Sequence, residues 1–543
     1  MLVVIIGLLA ITVLCVTLGD KLGLPYPILM MLCAIALSFL PGVSAPNIDP
    51  DLILPLFLPP LLFATARNAS WSVFRKRWSI LLALAVLLTI VTALVAALLA
   101  WWLVPGITFP LALLIGAAVA PTDPVAVEAV AGPAKMPRRL MILLDAEGLF
   151  NDAIAIVMFQ TALGAVIAQQ KSISPMILVE FPLAAAGSVL VGLLVGYLYR
   201  VADRVTHSTS AQIAVSIVAP FAAYMLADYL GISGVIAVVV TALESNRNDR
   251  PENGSIRIAR NNFWDVANVL INGLAFGLIG LQMREVFAAD TSGLSYALPT
   301  AAVCASLFLV RYIFVFVLGK ASTRLPLKEL HNGAVLLTWS GMRGLATLAL
   351  ALAVPSIGTL GDGSSARQLV IVIAATTIFV TLVPTGFSLP WLSRRIAPQE
   401  PGEESKEIAK ILRKSQHQSL MAVSKAFPGD QFTPELRKIL QVRFDTLREE
   451  LEVAELMQDD DSSPTAYDYQ LPRDARLHHQ AHVERMVNVA LNAARAEVLR
   501  ARRDIDVDPE IADRILLLLD QRMMAAYTSA MSFDNEQNSH NHD

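Results

Sequence analysis

Along the first 395 residues, apolar runs of about one membrane thickness alternate with short polar or turn-rich stretches, and beyond residue 396 the runs cease. A bilayer-spanning helix needs about 20 largely apolar residues. By that measure the pattern predicts thirteen spans, some short, at about 2–19, 25–42, 51–66, 79–104, 108–130, 140–168, 175–199, 208–229, 232–244, 263–283, 294–319, 330–354 and 367–392. The third, eighth and ninth are the weakest, which gives the count a margin of one.

Charge supplies an independent check, because cytoplasmic loops carry an excess of Lys and Arg. The loops after odd-numbered spans hold Lys21; Arg67, Arg75, Lys76 and Arg77; Lys135, Arg138 and Arg139; Arg200 and Arg204; Arg247, Arg250, Arg257 and Arg260; and Lys320, Arg324 and Lys328. The intervening loops hold only Lys171, Arg284 and Arg367. A miscounted span would scramble this alternation from that point on. The expected topology therefore has the N-terminus outside and the C-terminal segment in the cytoplasm.

Composition agrees. The chain is 55% hydrophobic and 16% charged, where a soluble protein carries about 25% charged residues. Residues 396–543 hold 27 acidic and 18 basic side chains, so the chain divides into a membrane domain, 1–395, and an acidic cytoplasmic tail, 396–543. The N-terminal run lacks a basic region and a cleavage-site pattern, which favours a retained first span over a signal peptide. Cys15, Cys33 and Cys304 sit singly in apolar runs, with no disulfide or metal spacing.

Two spans are interrupted. In LALLIGAAVAPTDPVAVEAV, Pro121 and Pro124 bracket Thr122 and Asp123; in AVLLTWSGMRGLATLALAL, Gly341 and Gly344 flank Arg343. Each proline removes a backbone donor and disfavours helix in the residue before it. Such breaks persist at membrane depth only inside protein or a wet cavity. They fall in spans five and twelve, an odd offset, which suits inverted repeats of spans 1–6 and 8–13. Interrupted segments at matching positions of two such halves point to a transporter's binding site.

Charge at depth is the second signal, since it is costly in hydrocarbon. The stretch DAEGLFND, residues 145–152, sits in span six between MILL and AIAIVMF. On a helix Asp145, Gly148 and Asp152 share one stripe, while Glu147 and Asn151 share the next. One carboxylate can then pair with a fixed cation while another addresses a cavity. Arg343, with a planar fork suited to a carboxylate, is the evident cation, and Asp152 has no evident basic partner. Asp145 is closer to the cytoplasmic end, and Arg311 either snorkels or serves structure. Desolvation disfavours a bare carboxylate, so such a group holds a proton or a small cation but not both. Oxygen ligands for a hard cation are available from Asp152, the Asn151 amide and the carbonyls freed around Thr122 and Asp123. Asp123 and Arg343 are also placed to neutralise half-helix ends.

With these residues in view, the chain resembles sodium/proton exchangers of the monovalent cation:proton antiporter-1 family. The matching strings run in order: FLPPLLF (57–63), APTDPVAV (120–127), EGLFND (147–152), GISGVIAVVV (231–240), NGLAFGLIGLQ (272–282) and GMRGLATLAL (341–350). The stretch 494–520 is also similar to tails of bacterial members. The resemblance implies an all-α, thirteen-helix inverted-repeat fold, usually a homodimer in the cell membrane, in which a core domain moves against a dimerisation domain. It implies that Asp152 carries ion or proton, that Asn151 beside it marks electroneutral exchange, that Glu147 and Arg343 form a structural ion pair, and that Thr122 and Asp123 belong to the unwound segment at the ion. The transported cation would be held by Asp152, Thr122 and Asp123. Two departures bear on ion choice: Ala64 and Gly148 stand where relatives often have an acidic residue and a serine.

The expected activity is exchange of Na⁺, Li⁺ or K⁺ for H⁺ by alternating access, with a mainly K⁺/H⁺ exchanger as the nearest alternative and a cation channel as the rival of another class. No cofactor or nucleic-acid partner is indicated, and neither H-E-x-x-H nor S-x-x-K occurs in the spans to suggest an intramembrane enzyme. In the tail, residues 403–427, 433–458, 473–503 and 508–527 are predicted helical. His478 and His482, at i, i+4, read as solvated helix residues before a metal pair or pH sensor.

Overall fold

The computed structural model describes residues 2–22, 24–40, 50–67, 79–123, 126–127, 130, 136–170, 177–206, 208–245, 254–288, 293–322, 326–355, 366–396, 403–427, 476–504, 507 and 511–521. Among these residues the structure is helical and contains no strand. The first half comprises α1 (Leu2–Leu22), α2 (Tyr26–Ser38), α3 (Pro50–Ala66), α4 (Ser79–Leu103), α5 (Phe109–Val119) and α6 (Arg138–Ile167). Then come α7 (Ile177–Val205), α8 (Thr209–Tyr229), α9 (Gly234–Ser245), α10 (Gly254–Ala288) and α11 (Gly293–Ser322). The membrane part ends with α12 (Leu327–Trp339), α13 (Leu345–Leu352) and α14 (Ala366–Ile396). Among the described residues, seven helical stretches are long and apolar enough to cross a membrane, and five shorter apolar helices accompany them.

The side chains sort as hydrocarbon solvent demands. Leu183, Leu190, Leu194 and Tyr197 of α7 stand exposed, as do Trp102, Val218 and Leu298 on other helices. The interior gathers Met30 and Met31 of α2, Phe276 and Ile279 of α10, Leu336 of α12, Leu348 of α13 and Ile378 and Leu382 of α14. Where helices must meet backbone to backbone, small residues mark the contact. A Cβ on Gly192 would lie 2.6 Å from Val240 Cβ, and one on Gly196 would lie 2.8 Å from Glu244 Cβ, so α9 lies directly on α7. Glu244, buried in that seam, is held by Arg200 at 2.7 Å.

Both predicted interruptions are observed. Helix α5 ends at Val119, and residues 121–123 are non-helical where Pro121 blocks the ladder. Pro124 lies outside the described residues. Helices α12 and α13 are separated by the non-helical link 341–344. The two links meet, with the Asp123 amide donating to the Met342 carbonyl at 2.8 Å.

A second compact unit collects residues 254–262 with the described tail. Helices α15 (Glu403–Ala426) and α16 (Arg476–Arg503), with helical residues 511–521, share an apolar core that includes Ile411, Val423, Ala490, Val498, Ile511 and Leu519. Asp520 is buried here between Arg257, at 2.6 Å, and Arg495, at 2.7 Å. Burial pushes the Asp520 carboxyl above its ordinary range, against the pull of both guanidiniums. Arg257 is therefore part of the tail's unit, although it precedes the 395/396 division by sequence. The helix predicted over 433–458 and the side chains of His478 and His482 lie outside the described residues.

Candidate functional site

The long helix α6 carries Glu147, Asn151 and Asp152 into the region where the two links cross. Glu147 is 3% exposed, Asn151 1% and Asp152 6%. Glu147 and Asn151, one turn apart, both reach Thr122: the Thr122 hydroxyl donates to Glu147 Oε1 at 3.2 Å and accepts from Asn151 Nδ2 at 2.8 Å. Asn151 Nδ2 also donates to the Thr122 carbonyl at 3.0 Å. The unwound residue is thus gripped through both its side chain and its main chain.

Glu147 takes its cation from α11, which overturns the pairing with Arg343 expected from the sequence. Arg311 Nη2 donates to Glu147 Oε2 at 2.9 Å, Nη1 donates to Oε1, and Nε donates to the Leu337 carbonyl at 2.8 Å. The reason lies in the link 341–344. Its course turns the Arg343 guanidinium back onto helix-end carbonyls, with Nε donating to Val119 O at 3.2 Å and Nη1 to Gly341 O. Those carbonyls close α5 and follow α12, the ends where the backbone dipole is negative. The Arg343 amide donates to Thr381 Oγ1 at 3.1 Å, which fixes the link to α14.

Asp123 serves the opposite ends. Its Oδ2 accepts from the Leu345 amide at 3.2 Å, at the start of α13, and its Oδ1 accepts from the Ala126 amide at 3.2 Å. A carboxylate at a helix N-terminus satisfies an orphan donor and the positive dipole end together. Gly344 is required for this approach, since a Cβ there would lie 1.7 Å from Asp123 Oδ2. Thr122 Oγ1 thus lies between Glu147 and Asn151, and the Asp123 carboxylate caps backbone.

Asp152 Oδ1 and Asn151 Oδ1 are buried and have no hydrogen-bond partner among the described residues. They are adjacent in the chain, and both are oxygens. Gly148, on the same helix, is buried and offers no side chain. The side chain of Asp145 lies outside the described residues. Arg311 is the residue whose role the sequence left open; its signal was a lone guanidinium about eight residues from the inner end of an otherwise apolar span.

Comparison with known proteins agrees with this architecture. The model of the transmembrane sodium/hydrogen exchanger family matches residues 8–395, and the chain belongs to that family. It is 31% identical over 393 residues to a sodium, potassium, lithium and rubidium/H⁺ antiporter of Bacillus pumilus, an alignment covering 68% of this chain and 58% of that protein. It is 32% identical over 458 residues to an uncharacterised Na⁺/H⁺ exchanger of Mycobacterium bovis, covering 82% and 83%. In fold it is similar to the solved sodium proton antiporter of Methanocaldococcus jannaschii, with a TM-score of 0.55, 20% identity, and coverage of 73% of this chain and 99% of that one.

Proposed function

We propose that this protein exchanges Na⁺, Li⁺ or K⁺ for H⁺ across the cell membrane, with Asp152 as the carboxylate that ion and proton share. The observation that carries the reading is the contrast within one small region. Glu147 is paired with Arg311, while Arg343 and Asp123 are bonded to helix ends. Asp152 keeps a buried oxygen without a partner. A desolvated carboxylate in that position needs a proton or a cation, and exclusion of one by the other couples their movements. The activities named for the relatives support the same chemistry.

Asn151 is neutral, so Asp152 is the one acid of the pair, and a single shared carboxylate makes the exchange one-for-one and electroneutral. Asn151 orients Thr122 and turns its own oxygen toward the ion. Alternating access moves the crossed helices as a body while the site stays intact, in a homodimer with its N-terminus outside and its tail in the cytoplasm. Proton flux in proteoliposomes, driven in turn by Na⁺, Li⁺ and K⁺ with and without a membrane potential, tests the reading. Potential-independent exchange in the wild type, lost in Asp152→Asn, is the expected result. Exchange by that variant at the wild-type rate would overturn the carrier role, and steady cation current without proton coupling would make the protein a channel.

A further inference from the structure

Buried hydroxyls on membrane helices ordinarily bond back to the carbonyl one turn earlier. Thr338, Ser340 and Thr381 do so here, to Ala334, Leu336 and Thr377 at 2.7, 2.8 and 2.7 Å. Thr347 does not. It is fully buried, and its Oγ1 has no partner among the described residues. The other buried hydroxyl in that condition, Thr300, lies on α11 about three turns from Arg311.

The cause is local. Thr347 is in the first turn of α13, and the residue four places back is Arg343, in the non-helical link before the helix begins. The hydroxyl is consequently released from its own helix. Thr347 lies two residues beyond Leu345, whose amide donates to Asp123 Oδ2 at 3.2 Å, in the turn of α13 nearest the meeting of the two links. That helix packs against α6, which carries Asn151 and Asp152.

Resting on the proposed exchange reading, we infer that Thr347 is a specificity-determining residue, whose hydroxyl oxygen joins Asp152 Oδ1 and Asn151 Oδ1 around the dehydrated cation. It lies on the second broken span, whereas the other two oxygens lie beside the first. A close oxygen matters most to a small ion, so Thr347 favours Na⁺ and Li⁺ over K⁺.

The test uses full-length protein in proteoliposomes, with apparent KM and maximal rate measured for Na⁺, Li⁺ and K⁺, and Na⁺ binding measured by calorimetry in detergent. Thr347→Val, which keeps the shape and removes the oxygen, is expected to raise the Na⁺ and Li⁺ KM roughly tenfold or more. The K⁺ value should shift less and the maximal rate should be retained, because Asp152 still carries the proton. Thr347→Ser should match wild type. If the valine protein fails to fold, Thr347→Ala reads the same loss. Unchanged KM values and Na⁺ binding in the hydroxyl-free variant, or a serine variant as impaired as it, would overturn the inference. If Asp152→Asn is dead while Thr347→Val behaves as wild type, only the role of Thr347 falls. If Asp152→Asn still exchanges, the underlying reading falls instead.

Discussion

Arg311 and Glu147 form a buried, two-pronged ion pair between α11 and α6, with Arg311 Nη2 2.9 Å from Glu147 Oε2. Their side chains are 3% and 4% exposed, so neither charge has water as an alternative partner. Breaking such a pair from one side costs about 3–5 kcal/mol, because the other charge is left behind. Arg311→Ala and Glu147→Ala should therefore each lower the melting temperature and yield of the detergent-solubilised protein. Replacing both, as Glu147→Gln with Arg311→Met, should cost less than the two single losses added together. Additive losses in a thermal-shift double-mutant cycle would refute the pairing.

This pair also marks how far the sequence could be read. The all-helical, apolar character of the membrane part was legible because it is coded locally, by the length of the apolar runs. The breaks were legible for the same reason: Pro121, Gly341 and Gly344 act on their own backbone. The partner of Glu147 was not, because Arg311 is 164 residues away and the choice between Arg311 and Arg343 depends on where a non-helical link aims a side chain. The cap that Asp123 places on α13 was hidden likewise, since its acceptor and donor are 222 residues apart. Thr347 looked like an ordinary helix residue until the start of α13 removed its backbone acceptor.

Asn151 gives a second prediction. Its Nδ2 donates to both the carbonyl and the hydroxyl of Thr122, at 3.0 and 2.8 Å. An aspartate at 151 has the same shape but no hydrogen to give to that carbonyl. Asn151→Asp should thus loosen the unwound segment as well as add a second acid beside Asp152. The expected outcome is an exchange rate lowered at least tenfold in proteoliposomes, with the protein still monodisperse. A fully active Asn151→Asp protein would mean that the grip on Thr122 is dispensable.

Gly344 offers a steric test. A methyl group there would have to displace the Asp123 carboxylate from the start of α13, given a 1.7 Å approach to Oδ2. The chain would lose a helix cap worth about 1 kcal/mol and leave the carboxylate without the Leu345 amide. Gly344→Ala should abolish exchange, and Asp123→Asn, which keeps an acceptor oxygen, should be milder. Equal activity of Gly344→Ala and wild type in the flux assay would show that the two links can separate without consequence.

Asp520 tests the tail. It is 1% exposed and lies between Arg257 and Arg495, the latter fully buried. Removing the carboxylate takes away the buried acid that two guanidiniums share, so Asp520→Ala should cost about 3–5 kcal/mol in this unit. Arg257→Ala should cost less, because Arg495 still holds the carboxylate. Since 254–262 and the tail share one compact unit, both variants should expose the chain near residue 257 as well as near residue 520. Limited proteolysis of the full-length protein, with cleavage sites mapped by mass spectrometry, measures this directly. Faster cutting confined to the tail, with the 254–262 stretch as protected as in wild type, would refute the joint unit. Faster cutting at both places, greater in Asp520→Ala than in Arg257→Ala, is the result the geometry requires.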